Sequence, residues 1–157
     1  MTPSSPHSHT PVPHAQRARG AAAANDPFPG VEKVRSGLWS IPVPLPNNSL
    51  RYVLVYVFET DRGPYLVDAG WNTDDAFGAL ESGLKEVGAD VADVQGVMVT
   101  HIHPDHYGLA GRIREVSGAW ISLHPADAEL IHDRYDEPEG LLERVAAALR
   151  RMGAPAD

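Results

Sequence analysis

Three histidines and one aspartate lie within six consecutive positions, directly after a short apolar run. Residues 97–99 have the composition of a buried strand, so the histidine-bearing segment begins where that strand is expected to end. Few chemistries other than metal binding need imidazole groups at this density. The fold must therefore bring these side chains to one place. The segment reads Thr100-His101-Ile102-His103-Pro104-Asp105-His106-Tyr107-Gly108.

The spacing of these donors suits two neighbouring metal positions. Side chains in extended backbone repeat with a period of two, so His101 and His103 can project from the same side of the strand end toward one ion. Pro104 disfavours helix at the residue before it and fixes its own φ. The chain can then turn before Asp105 and His106 enter the first turn of a helix. The helix macrodipole favours Asp105 there, and His106 is expected to point toward a second nearby position.

The types of donor limit which metal could bind. The chain has no cysteine, so nitrogen and oxygen atoms must hold any metal ion. Such a set favours zinc, with iron or manganese as substitutes. A second interpretation also fits the segment: a polar loop that caps the following helix through Asp105, with solvated imidazoles. The lack of cysteine also excludes disulfides and is consistent with a reducing cytoplasm.

A hairpin is expected near the start of the apolar sequence. Residues 31–41 alternate between apolar and polar around Ser36-Gly37, the pattern of two short strands joined by a turn. The prolines at positions 42, 44 and 46 cannot donate the backbone hydrogen bonds of a central strand. The two strands should therefore form a hairpin at a sheet edge, which runs into a loop at residues 47–49.

The centre of the chain alternates strands with helices. Residues 52–58 are continuously apolar, β-branched and aromatic, which is typical of a strand covered on both faces. Residues 65–67 should form its partner strand, which ends at Asp68. Helical spacing of apolar residues predicts helices over residues 72–87 and from Leu109 to a stop near Gly118. A strand over residues 119–123 and helices after Pro125 and over residues 138–152 complete an α/β arrangement, a mixed sheet with flanking helices.

Composition weighs against two classes of partner. The chain has 13 basic and 21 acidic residues and a formal net charge of -8, which disfavours nucleic acid and anionic membranes. No apolar run is long enough to span a membrane, and the N-terminus lacks a secretory signal. We therefore expect a cytoplasmic protein with a small-molecule substrate. Residues 1–28 are rich in Pro, Ser, His and Ala and are expected to be a disordered tail, with His7, His9 and His14 solvated.

The histidine segment resembles the H-x-H-x-D-H signature of the metallo-β-lactamase superfamily. Residues 101–106 match every fixed position of that signature, and residues 65–70 resemble the strand-Asp-x-Gly element that precedes it in the family. The separation of the two elements by one helix and one strand is also similar. The resemblance covers about residues 31–135. It implies an αββα sandwich, of which this chain would form the N-terminal half.

The resemblance implies roles for five residues. His101 and His103 would bind a first metal ion, and Asp105 and His106 a second, so that a completed site would hold two zinc ions. Asp105 would also orient the nucleophile and is the expected catalytic residue. Asp68 would lie beneath the site as an outer carboxylate. From the residues alone, Asp68 is equally well explained as a turn aspartate that precedes the next helix.

The resemblance is incomplete. Family members add a further histidine, a bridging aspartate and a final histidine in a second half, and none of these has a clear counterpart here. His124 follows the strand after the signature helix, whereas the family's next histidine lies in a later loop, so we interpret His124 as structural. His132 falls in a predicted helix with polar neighbours and is interpreted as a surface residue. Residues 29–157 should thus form a partial domain, with residues 138–157 as the start of a helical lid.

Two kinds of function remain open, and with them whether the chain is an enzyme. The resemblance implies a zinc-dependent hydrolase in which a metal-activated hydroxide attacks an ester, thioester or lactone. The alternative is a catalytically inactive half-domain or fragment that acts by binding or assembly. A half sandwich would leave one face of its sheet, at residues 53–58 and 97–99, without a second layer. A homo-oligomer or a complementary C-terminal half would supply that layer.

Overall fold

A computed structural model describes residues 28–132 and 138–155 of the chain. In these residues one six-stranded sheet has its strands in sequential order, and two of the helices pack on one side of it. The expected tail lies outside the described residues, apart from Phe28. The strands are β1 (Glu32–Arg35), β2 (Leu38–Pro44), β3 (Tyr52–Phe58), β4 (Tyr65–Val67), β5 (Gly96–Met98) and β6 (Trp120–Ser122). The helices are α1 (Asp74–Glu86), α2 (Pro104–Tyr107), α3 (Ala110–Ser117), α4 (Pro125–Ala128) and α5 (Pro138–Arg151), with a short 3₁₀ helix at Val91–Asp93.

The sheet is mixed, which confirms the predicted α/β class. Strands β1 to β4 pair antiparallel with their neighbours, whereas β4, β5 and β6 are parallel. Helix α1 connects β4 to β5, and α2 and α3 connect β5 to β6. The carboxyl ends of three neighbouring strands therefore meet at one edge of the sheet, where ligands of open α/β sheets usually bind.

The helices bury one face of the sheet. Val55, Val57 and Val97 are fully buried in a cluster that also contains Leu80 of α1 and Ile113 of α3. Side chains at these positions alternate with outward ones along each strand, and recur at helical spacing along each helix. The core thus fixes the strand ends that position the candidate site.

Helix α1 starts and stops where its sequence signals lie. The Thr73 side chain accepts a hydrogen bond from the Ala76 backbone N–H over 3.2 Å, which caps the first turn. Gly88 follows the last turn with a φ of 82°, a conformation that glycine adopts without a Cβ clash. The observed helix is slightly shorter than the predicted range 72–87, because Thr73 is its cap.

The opposite face of the sheet is open over parts of β3, β5 and β6 within the described residues. Val55 and Val57 are 0% exposed, but Tyr56 between them is 36% exposed. Met98 and Trp120 extend this apolar face, with 38% and 46% of their surface exposed. The prediction that residues 52–58 are covered on both faces is therefore wrong for this part of the chain. The uncovered face is the one that a half sandwich was expected to leave without a second layer.

The predicted edge hairpin is confirmed, because β1 is the edge strand and pairs antiparallel with β2. Strand β2 differs from its prediction only in that it continues through two of the prolines. It lies between β1 and β3 and pairs with β3 along its whole length, with Pro42 opposite Leu54 and Pro44 opposite Tyr52. Strand β1 reaches only as far as Ser40 of β2. The two prolines therefore lie where β2 has a partner strand on one side only, and a strand edge tolerates proline.

Helix α5 ends the described fold, close to its predicted range. Leu142, Val145 and Leu149 recur along it and are 67%, 46% and 49% exposed. This exposed apolar stripe agrees with the amphipathic pattern in its sequence. Across residues 28–132 and 138–155, no helix combines the length and apolarity needed to cross a membrane.

Candidate metal centre

The candidate ligands follow the carboxyl ends of β4 and β5. Asp68 comes directly after β4, and its backbone N–H donates to the carbonyl of Met98 at the end of β5 over 3.0 Å. The chain then runs from β5 through Thr100 and His101 into α2. Pro104 occupies the first turn of α2, as the sequence predicts. This arrangement gathers all five predicted site residues at one edge of the sheet.

One ring nitrogen of His101 faces one ring nitrogen of His103. His101 Nε2 lies 3.0 Å from His103 Nδ1. Two nitrogens bound to one tetrahedral zinc ion at about 2.0–2.1 Å each lie roughly 3.3 Å apart. The pair is thus spaced as two ligands of one ion are.

Asp105 and His106 form a second pair. The Oδ2 atom of Asp105 lies 3.4 Å from His106 Nε2. His106 Nδ1 lies 2.8 Å from Asp68 Oδ2, and an ionised carboxylate only accepts, so the Nδ1–H of His106 donates to Asp68. The lone pair of His106 therefore lies on Nε2, the nitrogen that faces Asp105.

Asp68 connects the two strand ends and is nearly buried, with 7% of its surface exposed. It accepts hydrogen bonds from the backbone N–H and the hydroxyl of Thr100 over 2.8 and 2.9 Å, in addition to the one from His106. Its φ of 64° lies in the left-handed region, which aspartate tolerates better than most residues. Thr73, not Asp68, caps the following helix. The contacts therefore favour the outer-carboxylate interpretation of Asp68 over the turn interpretation.

Thr100 contributes to the site although sequence reasoning gave it no role. Its hydroxyl has one proton and donates it to Asp68, so it accepts from the Nδ1–H of His101, which lies 3.0 Å away. This leaves the lone pair of His101 on Nε2, the nitrogen that faces His103. The one sequence signal is a hydroxyl residue directly before His101. Its partner Asp68 is 32 positions away, which no local pattern reveals.

The environment keeps His101 neutral. Burial, followed by the charges that protonated His106 and His103 would place beside it, lowers the pKa of His101 from its ordinary value of 6.5. Metal ions bind imidazole only in its deprotonated, neutral form. The surroundings of His101 thus favour the form that a metal ion requires.

The donors fit zinc as two pairs and do not make one complete cage. Within the described ranges, no three His, Asp or Glu side chains converge as one set of ligands. Each pair has the nitrogen and oxygen atoms that zinc accepts, and hydrogen bonds from the other ring nitrogens orient His101 and His106, as outer partners do in zinc sites. A tetrahedral ion on either pair would need two further donors.

The interpretation of the segment as a helix cap fits the structure less well. His103 occupies the cap position of α2, and no side chain makes the capping hydrogen bond there. Asp105 instead lies inside the first turn with its carboxylate toward His106. The imidazoles of His101 and His106 contact each other, with ring centroids 4.1 Å apart.

The other histidines have different surroundings. His124 is exposed, and its Nδ1 accepts a hydrogen bond from the Ala126 N–H over 3.2 Å, which caps α4. This contact agrees with the structural interpretation of His124. His132 is exposed, in agreement with a surface position. His7, His9 and His14 lie outside the described residues.

Comparison with known proteins gives one consistent family. The family model of the metallo-beta-lactamase superfamily matches residues 49–151. A probable metallo-hydrolase of Bacillus subtilis (strain 168) is 40% identical over 99 residues, which are 63% of this chain and 27% of the relative. A metallo-beta-lactamase family protein of Thermus thermophilus is 34% identical, with a TM-score of 0.69 over 80% of this chain and 41% of that one.

A more distant structure shares the fold alone. A subclass B3 metallo-beta-lactamase of Bradyrhizobium japonicum is 22% identical, with a TM-score of 0.54 over 66% of this chain and 36% of that one. In all three comparisons the chain spans less than half the length of the protein it matches.

Proposed function

Because the chain belongs to the metallo-beta-lactamase superfamily, we propose that it acts as a zinc-dependent hydrolase of an ester, a thioester or a lactone. The superfamily generally binds metal ions, and the Bacillus subtilis relative is a probable metallo-hydrolase. The observation that carries the proposal is the pairing of donors above a nearly buried carboxylate. Asp68 and Thr100 hold His101 and His106 in the tautomers whose free lone pairs face His103 and Asp105.

The side chains have separate roles in the proposed reaction. Zinc, when bound, supplies a nucleophilic water at neutral pH and a Lewis acid for a carbonyl oxygen. His101 and His103 would hold one ion, and Asp105 and His106 the other. The carboxylate of Asp105 can also accept a hydrogen bond from the attacking water and thereby orient it. This scheme needs no serine or cysteine nucleophile, in accord with the absence of cysteine.

The charge of the chain supports a small, uncharged substrate. With 21 acidic and 13 basic residues the protein repels polyanions, so a polynucleotide is a poor candidate. Esters, thioesters and lactones have an electrophilic carbonyl that is more reactive than an amide. A site with a neutral-pH nucleophile and a Lewis acid is suited to that carbonyl.

Metal-dependent hydrolysis is the direct test of this proposal. We expect protein reconstituted with zinc to bind it and to hydrolyse generic thioester or lactone substrates. A strong chelator should remove both the zinc and the hydrolysis, and added zinc should restore both. Metal content by mass spectrometry and initial rates measure the two quantities on one sample. Folded protein that binds no zinc even at excess metal would contradict the proposal.

Asp68→Asn tests the outer carboxylate separately. Asparagine keeps the shape of the side chain and tolerates the positive φ, but it cannot fix the tautomer of His106 as a carboxylate does. We expect zinc affinity to fall by about 10–100-fold, the usual loss for an outer partner of a metal-binding histidine. Competition with a chromophoric chelator measures the affinity, and nitrogen NMR of the imidazoles reports the tautomer.

Asp75→Asn is the matched control for this change. Asp75 is an exposed aspartate in the first turn of α1 and is not one of the candidate ligands. Its replacement should leave zinc affinity and the His106 tautomer unchanged. Equal affinities for the Asp68 variant, the Asp75 variant and the parent protein would exclude the proposed role of Asp68.

A further inference from the structure

A cavity lies against the segment that carries the candidate ligands. Its volume is ≈ 530 Å³, within the range of small-molecule sites. Pro104 and Tyr107, the first and last residues of α2, both line it, and Asp105 and His106 lie between them. Pro104 and Tyr107 are three positions apart and share one face of this turn, whereas Asp105 and His106 project from its other faces and do not line the cavity. The cavity therefore lies on a neighbouring face of the turn that carries the second donor pair. The side chains that matter for its chemistry are Trp71, Asn72, Pro104, Tyr107 and Ile131.

The wall of this cavity is apolar and aromatic. Trp71, Tyr107 and Ile131 provide large apolar surfaces, and Asn72 adds one neutral amide. Among the described residues, no charged side chain lines it. A carboxylate or phosphate placed there would lose hydration without gaining a cationic partner, which is costly. An uncharged aromatic or alkyl group would instead gain apolar contact.

Backbone hydrogen bonds fix the wall relative to the candidate ligands. The Ala69 N–H donates to the carbonyl of His106 over 2.8 Å, and the Leu109 N–H donates to that of Gly70 over 3.0 Å. The loop that carries Trp71 is thus attached to the ligand-bearing turn at His106 and just after the turn at Leu109. A rigid wall binds its ligand at a lower entropic cost than a mobile one.

We propose that this cavity, on a neighbouring face of the ligand-bearing turn, binds an uncharged aromatic or alkyl group of the substrate. This assignment extends the proposed hydrolase function. The identification of the bound group as part of a substrate rests on that function. The binding of an apolar group depends only on the cavity itself. Trp71, which is 36% exposed, forms the aromatic wall of the cavity.

The three tryptophans allow a test that needs neither metal nor turnover. We expect phenylacetamide, a neutral aromatic amide, to shift the indole N–H signal of Trp71 in NMR spectra of the isotope-labelled full chain. The signals of Trp39 and Trp120 should stay in place. Trp120 is the more stringent of these two references for non-specific binding, because it is 46% exposed on the open apolar face of the sheet. Acetamide, which lacks the ring, and phenylacetate, which adds a charge, should bind at least about tenfold more weakly.

Gly111→Leu provides a variant that fills the cavity. Gly111 lines it near the start of α3, and a Cβ added there meets no atom within 4 Å, so leucine can extend into open space without strain. We expect the affinity for phenylacetamide to fall at least about tenfold. Gly78→Leu is the matched control, because Gly78 is also helical, also has open space at its Cβ and does not line the cavity. This control should bind phenylacetamide as the parent does.

Each contrary outcome overturns the proposal. Equal shifts of all three indole signals would mean non-specific contact with apolar surface. Tighter binding of phenylacetate would mean a site for anions, and unchanged affinity in the Gly111 variant would place the ligand elsewhere. None of these outcomes depends on zinc. A protein that binds no zinc but shows the selective Trp71 shift would contradict the hydrolase proposal and leave the apolar site standing.

Discussion

Replacing His103 by alanine is expected to abolish tight zinc binding at the first donor pair. His103 Nδ1 is one of two nitrogens that lie 3.0 Å apart at the end of the β5 segment, and alanine leaves His101 as a single donor. Loss of an outer partner already costs about 10–100-fold in metal affinity, so loss of a direct ligand should cost more than about 100-fold. Zinc stoichiometry after dialysis, together with a competition titration, measures this effect.

The fold should not change in this variant. His103 is exposed, so its truncation should alter the free energy of unfolding of the metal-free protein by less than about 0.5 kcal/mol. His124→Ala is the matched control, since His124 is an exposed histidine that caps α4. It should retain the zinc stoichiometry of the parent. Unchanged stoichiometry in the His103 variant would remove His103 from the ligands, and an equal loss in both variants would make His124 a ligand as well.

The elements of the fold that could be predicted are those with strong local signals. Helix α1 has a capping threonine, acidic residues in its first turn and a glycine after its last turn, and it lies where these signals place it. The short strands β5 and β6 were found because apolar, β-branched runs end at polar or helix-starting residues. The mixed sheet followed from the alternation of such strands with helices.

The errors concern what lies beside a strand. Residues 52–58 are apolar throughout, but only their Val55 and Val57 face meets helices in the described residues. The composition of a strand shows how apolar each face is, but it does not show which element covers that face. Likewise, the prolines of β2 are tolerated because β1 reaches only Ser40, a fact of register that no pattern within β2 contains.

The part of the candidate site that lies in one segment of the sequence could be predicted. His101, His103, Asp105 and His106 lie in one segment, so strand period and a helix-starting proline were enough to suggest how they pair. Asp68 came from the family resemblance, and the residues alone left its role open. Thr100 and the cavity wall at Trp71 depend on contacts between β4, β5 and α2 that are about 30 residues apart in sequence. Such tertiary pairing has no signature in one sequence.

The turn that carries Asp105 and His106 depends on a glycine, and Gly108→Ala is expected to be strongly destabilising. Gly108 has a right-handed helical backbone that alanine adopts without strain, so its φ is not the reason. A Cβ added there would clash with the carbonyl oxygen of Pro104 and lie 2.8 Å from both Asn72 N and the carbonyl oxygen of Gly70. These are backbone atoms, which cannot move unless α2 or the loop after Asp68 shifts.

We therefore expect Gly108→Ala to lower the free energy of unfolding by about 3 kcal/mol, the upper end of overpacking effects. Zinc affinity should fall as well, because the displaced turn carries the second donor pair. Gly111→Ala is the matched control: its added Cβ meets nothing within 4 Å, so it should leave stability unchanged or raise it by up to about 1 kcal/mol. Urea unfolding of both variants measures the difference. If the two variants were equally stable, close backbone approach at Gly108 would not be what holds the ligand-bearing turn against the loop after Asp68.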